Sequence, residues 1–183
     1  MKSMKNINIL NIIIVLLIVF NFNSKAQERV LKSAEIGFSS DKDGKQFGTK
    51  TDKVESTLNT ETGEVSITVD VMGLVFDKDM MTKHFRAEGV MNAASFPVIT
   101  FKGKIVDVSK VNFKKDGEYD VMVKGKMNIK GVEQEIEVKA SITIKKKKMT
   151  ATTNFDLARF DYGVKGKEKY IANTLQISVE LVY

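Results

Sequence analysis

Residues 119–129 read YDVMVKGKMNI, and this stretch decides the fold class. Its apolar side chains recur at every second position on one side, which carries Tyr119, Val121, Val123, Met127 and Ile129. A period of two places one face of a β-strand in an apolar environment and the other face in water. Because similar alternation recurs along most of the chain after residue 60, the sequence predicts an antiparallel sheet large enough to close on itself.

The amino-terminal segment has the pattern of a secretory signal. Two lysines precede an apolar run over residues 7–22, and Ser24-Lys25-Ala26 supplies the small residues of a cleavage site. We expect cleavage after Ala26. An uncleaved anchor helix is the alternative, although a span needs about 20 apolar residues. The sequence therefore predicts a signal peptide over residues 1–26 and one domain over residues 27–183, located in the periplasm or secreted.

The composition excludes several classes of protein. The chain has no cysteine, so it has no disulfides and no lipid-modified cysteine anchor, and the domain must be held together by its core. Loss of the signal segment removes three lysines and lowers the net charge from +6 to +3. The remaining basic residues are spread along the predicted strands and are not gathered with aromatic residues, which argues against a nucleic-acid partner.

Turn signals divide the chain into about eight strands and one or two short helices. The strands are predicted over residues 29–38, 47–58, 64–73, 97–105, 119–129, 136–144, 149–157 and 175–183. Helical spacing of Met80, Met81, His84 and Phe85 predicts a helix over residues 78–86 with Asp77 as its N-cap, and a second helical turn near residues 92–95.

Eight antiparallel strands can close as a barrel that is either filled by side chains or holds one small ligand. A two-sheet sandwich is the alternative. The long strands over residues 119–144 favour the barrel, because closure removes the exposed edges that long strands create.

Three segments resemble the YceI-like family of exported bacterial proteins. They are residues 83–86 (KHFR) with 95–101 (SFPVITF), residues 125–132 (GKMNIKGV) and residues 155–164 (FDLARFDYGV). Their order and spacing cover nearly the whole mature chain, with Tyr162 in place of the family's usual phenylalanine. The resemblance implies an all-β, antiparallel, eight-stranded lipocalin-like barrel that binds isoprenoid lipids.

The resemblance favours an apolar cavity that holds one amphiphilic lipid, either a polyisoprenoid or an isoprenoid quinone. The alternative is a structural or stress-associated barrel with a filled core, acting through its outer surface. Gly103, Gly125, Ala140 and Ala151 lie on inward faces, where small residues either create room or allow tight bending.

The predicted ligand contacts are apolar residues on the inward faces and on the short helix. Met80, Met81 and Phe85 would form an adaptable lid or wall, because methionine fits varied apolar shapes. The full set is Phe38, Ile67, Val69, Met80, Met81, Phe85, Ile99, Phe101, Val121, Val123, Met127, Ala140, Ile142, Phe155 and Ile177.

No catalytic or metal-binding constellation is visible in the sequence. His84 is the only histidine, and without cysteines no cluster of metal ligands surrounds it. The pairs Asp41/Asp43 and Asp77/Asp79 lie where turns and helix starts favour aspartate. We therefore expect a protein that is not an enzyme, with no metal and no cofactor other than a bound isoprenoid lipid.

Each of two charged features of the sequence has two interpretations. The run Lys145–Lys148 fits a solvated hairpin turn, or transient contact with a membrane surface through anionic lipid head groups. Arg159, together with Asp161, either fastens the last loop across the barrel or meets the head group of a ligand. We favour the turn and the fastened loop.

Overall fold

The computed structural model describes residues 28–183, and the predicted signal segment lies outside these residues. The strands are β1 (Glu28–Val30), β2 (Ser33–Lys42), β3 (Lys45–Thr51), β4 (Val54–Asn59), β5 (Glu64–Asp70), β6 (Val98–Ile105), β7 (Gly117–Ile129), β8 (Val132–Lys145), β9 (Lys148–Ala158) and β10 (Thr174–Val182). Within residues 28–183, an α-helix, α1, spans Asp79–Arg86, and 3₁₀ turns cover Val71–Gly73, Val108–Lys110 and Arg159–Tyr162.

The strands form one curled antiparallel sheet, in the order β1-β4-β5-β6-β7-β8-β9-β10-β2-β3. The sheet closes where the chain passes from β1 to β2. At that point the Leu31 amide donates to the Ser56 carbonyl at 3.3 Å, and the Lys32 amide donates to the Val182 carbonyl at 2.7 Å. One continuous segment thus contacts β4 on one side and β10 on the other, which gives the barrel-like all-β fold that the sequence predicts.

The structure has ten strands where the sequence predicts eight. The predicted strand over residues 29–38 is divided because the chain changes partner from β4 to β10 near Leu31. The predicted strand over residues 47–58 is divided by a turn at Thr51–Lys53, in which the Thr51 hydroxyl accepts from the Lys53 amide at 3.0 Å. At both breaks the inward positions change from odd to even numbers, so Val30 is exposed and Thr51 is buried, contrary to the faces of two unbroken strands.

The segment between β5 and β6 corrects two details of the prediction and confirms a third. The strand predicted to residue 73 ends at Asp70, whose carboxylate caps the 3₁₀ turn by accepting from the Met72 amide at 2.8 Å. Lys78, not Asp77, is the N-cap of α1, and its side chain makes no capping bond. The helical turn predicted near residues 92–95 is present, because the Asn92 carbonyl accepts from two amides, those of residues 95 and 96.

Three hairpins turn through two residues that both have positive φ, as in type I′ turns. The central residues are Asp43-Gly44, Lys130-Gly131 and Lys146-Lys147. The last turn has no glycine, but the Asp116 carboxylate accepts from the Lys146 amide at 3.1 Å. Residues 145–148 therefore form an exposed hairpin turn, and contact of these lysines with lipid head groups stays a prediction.

Buried side chains form two cores at opposite ends of the barrel. The helix-end core contains Val71, Leu74, Phe76, Phe85, Val90, Met91, Ala93, Ile129, Leu157, Tyr162 and Val164. The closed-end core contains Leu58, Ile105, Val111, Val121, Ile142, Ile144, Met149, Leu181 and Tyr183. Tyr183 is 2% exposed, and its hydroxyl lies 2.6 Å from the Ser56 hydroxyl.

Burial of Tyr183 predicts a loss of stability in alkaline solution. Burial raises the pKa of Tyr183, and the hydrogen bond with Ser56 acts in the opposite direction with a smaller effect. Because an unfolded tyrosine ionises near pH 10 while the buried one resists ionisation, this contribution is complete below about pH 10 and is lost as the pH rises further.

We therefore expect the unfolding free energy of Tyr183→Phe to fall less than that of the wild type between about pH 8 and about pH 11. Urea denaturation at the two values measures the difference. All other side chains are common to both proteins, and Tyr162, whose pKa burial also raises, should keep part of the dependence. Equal losses in the two proteins would contradict this role of Tyr183.

Candidate functional site

An apolar cavity of about 210 Å³ lies inside the barrel, between the two cores. Its lining comes from strands on opposite sides of the barrel, from α1 and from the loops beside α1. Thirteen of the fifteen predicted ligand contacts are on this lining: Phe38, Ile67, Val69, Phe85, Ile99, Phe101, Val121, Val123, Met127, Ala140, Ile142, Phe155 and Ile177. That these residues contact a ligand stays a prediction.

The middle of the barrel wall is not completely buried. Ile36, Ile67, Val123, Ala140 and Val179 are partly exposed although they point inward, whereas the residues of the two cores above and below them are buried. In a barrel filled by its own side chains, these central positions would be the most buried. Their exposure therefore indicates a space between the cores.

The two methionines of α1 lie outside the cavity lining. Met80 is 81% exposed, and Met81 packs at the margin of the helix-end core without lining the cavity. The inward face of this short helix is instead formed by Thr82 and Phe85, which are three residues apart. Met80 and Met81 therefore do not line this cavity, and contact of either side chain with a ligand stays a prediction.

Gly103 and Gly125 do not leave room for a ligand. They are paired across β6 and β7, and the ring of Phe101 lies over them. A Cβ atom on Gly125 would lie 2.4 Å from the Gly103 Cα and 2.8 Å from the Phe101 Cζ. The glycine pair therefore allows close approach of backbone and ring, while Ala140 and Ala151, which do line the cavity, leave space.

Arg159 fastens the loop between β9 and β10. It is 2% exposed, and its guanidinium donates from Nε to the Ala172 carbonyl at 2.9 Å, from Nη1 to the Val164 carbonyl at 2.9 Å and from Nη2 to the Ile171 carbonyl at 3.2 Å. Burial lowers the pKa of Arg159, but an arginine in a protein keeps its charge. Asp161 is exposed and is not among these partners, so the first of the two sequence interpretations describes the loop.

The remaining candidate residues lie away from the cavity. His84 is exposed on α1, and the two aspartate pairs are exposed at the end of β2 and at the start of α1. Within residues 28–183, no group of three or more histidine, aspartate or glutamate side chains could hold a metal ion. In the same part of the chain, no helix has the length and apolar character needed to cross a membrane.

A second concavity of about 1080 Å³ lies among β9, β10, β2, β3 and the residues that lead into α1. Its lining combines polar side chains, which include Asn154, Asp156, Gln176 and Ser178, with apolar ones, which include Phe38, Phe47, Phe76, Met81, Phe155 and Ile177. Because this groove is wide, open to water and mixed in polarity, it lacks the enclosure that most small-molecule sites have. The inner cavity is the stronger candidate.

Loop residues complete the wall of the cavity at its helix end. Leu74, Met91 and Val164 lie in irregular segments, where no period identifies an inward face, and the sequence interpretation missed them. Ile136, Val138 and Thr153 also line the cavity, and they do lie on strand faces where alternation identifies them.

The fold is shared with solved bacterial structures. A polyisoprenoid binding domain from Saccharophagus degradans superposes with a TM-score of 0.75 at 15% identity, covering 87% of this chain and 98% of that one. Burkholderia cenocepacia BcnA gives 0.69 at 18% identity, covering 82% and 96%. The Campylobacter jejuni YCEI protein gives 0.54 at 14% identity, covering 87% and 85%. At these identities the likeness shows the fold alone.

No curated protein matches the chain. The family model described as a YceI-like domain matches residues 25–183, which is nearly the whole length. The chain therefore belongs to the YceI-like domain family.

Proposed function

We propose that this protein holds an amphiphilic lipid, a polyisoprenoid or an isoprenoid quinone, with its chain inside the barrel cavity. The observation that carries the proposal is the nearly uniform apolar lining of an interior space. Such a wall offers few polar partners, so it suits a hydrocarbon chain and gives little to a polar ligand. The binding free energy would then become more favourable by about 0.8 kcal/mol for each CH₂ group that leaves water.

The comparisons support a ligand of this class. The solved domain from Saccharophagus degradans is described as polyisoprenoid binding, and it shares the fold of this chain over most of its length. Membership of the YceI-like domain family adds support at the level of the whole domain. We propose no enzymatic activity and no further cofactor.

The size of the cavity limits how much of a lipid it holds. A volume of about 210 Å³ lies below the roughly 300–1,000 Å³ of ordinary small-molecule sites. A long isoprenoid chain therefore either widens the space between the two cores or extends beyond the barrel. The two packed cores, in turn, are the feature that favours a filled structural barrel as the second candidate.

Titration of lipid-free protein with prenyl alcohols tests the proposal. We expect saturable binding of geranylgeraniol. Farnesol and geraniol should bind more weakly, because their shorter chains bury less apolar area. Intrinsic tyrosine fluorescence or calorimetry measures the affinities. Absence of saturable binding by all three alcohols would favour the filled barrel.

We also propose that the protein is exported to the periplasm or secreted. The basic start, the apolar run and Ser24-Lys25-Ala26 support this, and the family match begins at residue 25, beside the predicted cleavage site. Intact-mass measurement of protein exported by a bacterial host should show a mature chain that begins at Gln27. A membrane-bound chain that retains residues 1–26 would favour the anchor instead.

A further inference from the structure

The barrel wall is interrupted between β8 and β9. The two strands pair only over residues 141–145 and 148–152, although β8 begins at Val132 and β9 continues to Ala158. In contrast, β8 pairs with β7 along its whole length, and β9 pairs with β10 from residue 150 to residue 158. We call the unpaired interval, residues 132–140 of β8 facing residues 153–158 of β9, the lateral slit.

The lateral slit opens onto the cavity. Ile136 and Val138 line the cavity from β8, and Thr153, Phe155 and Leu157 line it from β9. Ile136 and Val138 are also partly exposed, as expected for side chains at an opening. Both margins of the slit are therefore mainly apolar on the inside, which suits the passage of a hydrocarbon chain.

Single side-chain hydrogen bonds cross the slit near its two ends. The Thr153 hydroxyl donates to the Lys139 carbonyl at 2.6 Å, and the Gln134 side-chain amide donates to the Asp161 carbonyl at 3.2 Å. Either bond can break while the ladders that join β8 to β7 and β9 to β10 stay intact. The slit can therefore widen without loss of strand pairing.

Aromatic and buried side chains pack together at the two ends of the barrel. At the helix end, Phe47, Phe76 and Phe85 form ring contacts with centroids 4.8 Å and 5.3 Å apart, and Phe38 adds three more contacts at about 6 Å. At the closed end, Met149 and Tyr183 are almost fully buried. Passage through either end would separate these side chains, whereas passage through the slit would not.

We propose that the apolar chain of the bound lipid enters and leaves sideways through the lateral slit. The proposal rests on the proposed function, and it also accounts for a cavity smaller than a long isoprenoid chain, since part of the chain can extend through the slit. The outer face of β8 carries Glu133, Glu135, Glu137 and Lys139, and such charges discourage addition of a foreign strand at an unpaired edge.

Cross-linking tests the route, because the chain has no cysteine of its own. Lys139→Cys with Asn154→Cys places thiols on opposite margins of the slit. Asn154→Cys with Ser178→Cys places them across the paired strands β9 and β10 as a matched control. Each protein is first loaded with geranylgeraniol that carries a fluorescent anthranilate group. Its two thiols are then cross-linked with a short bis-maleimide, and the rate of lipid release into phosphatidylcholine vesicles is measured.

We expect closure of the slit to slow release by about tenfold or more, and closure of the control pair to change it less than about twofold. Unchanged release from the protein closed across the slit would overturn the lateral route and leave the proposed function standing. Failure of the wild type to bind the probe at all would overturn both.

A second variant acts in the opposite direction. Thr153→Val removes the hydrogen bond to the Lys139 carbonyl and keeps the shape of the side chain, so release should become several-fold faster. Thr150→Val, on the paired part of the same strand, serves as its control. Equal release rates for the two variants would contradict a route through the slit even if the cross-link fails to form.

Discussion

Arg159→Met should lower the unfolding free energy by about 3 kcal/mol or more, because a hydrogen bond to a charged group contributes roughly 1.5–3 kcal/mol and three are lost together. Methionine keeps much of the apolar stem but leaves the carbonyls of Val164, Ile171 and Ala172 without their donor. Two of those three bonds lie in partly buried surroundings, where an unpaired carbonyl is costly. Urea denaturation followed by circular dichroism measures the loss.

Two control variants separate the effect of the planar guanidinium, which donates to several carbonyls at once, from the effect of its charge. Arg159→Lys keeps the charge but has no planar fork, so it should recover only part of the stability. Asp161→Asn should stay within about 0.5 kcal/mol of the wild type, because the Asp161 side chain is exposed. A loss below about 1 kcal/mol for Arg159→Met would mean that the loop is held by other contacts, such as the bond from the Ala172 amide to the Ser40 hydroxyl.

Ala140→Phe should weaken lipid binding strongly while the fold survives. Ala140 lines the cavity, pairs with Val121 on β7 and lies beside the lateral slit. A phenyl ring there would fill much of a space of about 210 Å³. We expect the dissociation constant for geranylgeraniol to rise by about a hundredfold, equivalent to roughly 2.7 kcal/mol. The melting temperature without ligand should change by no more than about 4 °C, or roughly 1 kcal/mol.

The matched control is Thr143→Phe. Thr143 lies on the same strand but on its exposed face, so the same ring should leave both binding and melting close to wild type. If the barrel is filled, Ala140→Phe should instead overpack the core, which typically costs 1–3 kcal/mol, and the wild type should bind no lipid. A variant that binds as tightly as the wild type would contradict the assignment of Ala140 to the binding cavity.

The central strands could be predicted from the sequence because their burial is one-sided. Along β7 and β9, alternate residues such as Val121, Val123, Phe155 and Leu157 point inward over long stretches, and this pattern appears directly in the order of amino acids. The breaks between β1 and β2 and between β3 and β4 could not be predicted in this way. They arise at a change of strand partner and at a turn, where the inward face shifts by one position across the exposed polar pairs Lys32-Ser33 and Asp52-Lys53, which carry no hydrophobic period.

The same physical reason limits prediction of the site. Most of the cavity wall lies on strands, so thirteen predicted contacts are on its lining, but Leu74, Met91 and Val164 come from irregular segments with no period. Gly103 and Gly125 show a further limit, because a small residue in the sequence does not reveal whether a ring such as that of Phe101 covers it. The lateral slit is likewise invisible, since residues 132–140 alternate in the same way whether or not they have a partner on β9.

The central claim, that the cavity holds an isoprenoid lipid, is tested most directly by analysis of the wild-type protein itself. The protein is produced in its exported form and purified without detergent, and its organic extract is examined by mass spectrometry beside an extract of Ala140→Phe. We expect an isoprenoid-class lipid in the extract of the wild-type protein and none in the extract of Ala140→Phe. A wild-type protein that yields no such lipid, and binds no geranylgeraniol when it is offered, would contradict the proposal that the cavity holds an isoprenoid lipid.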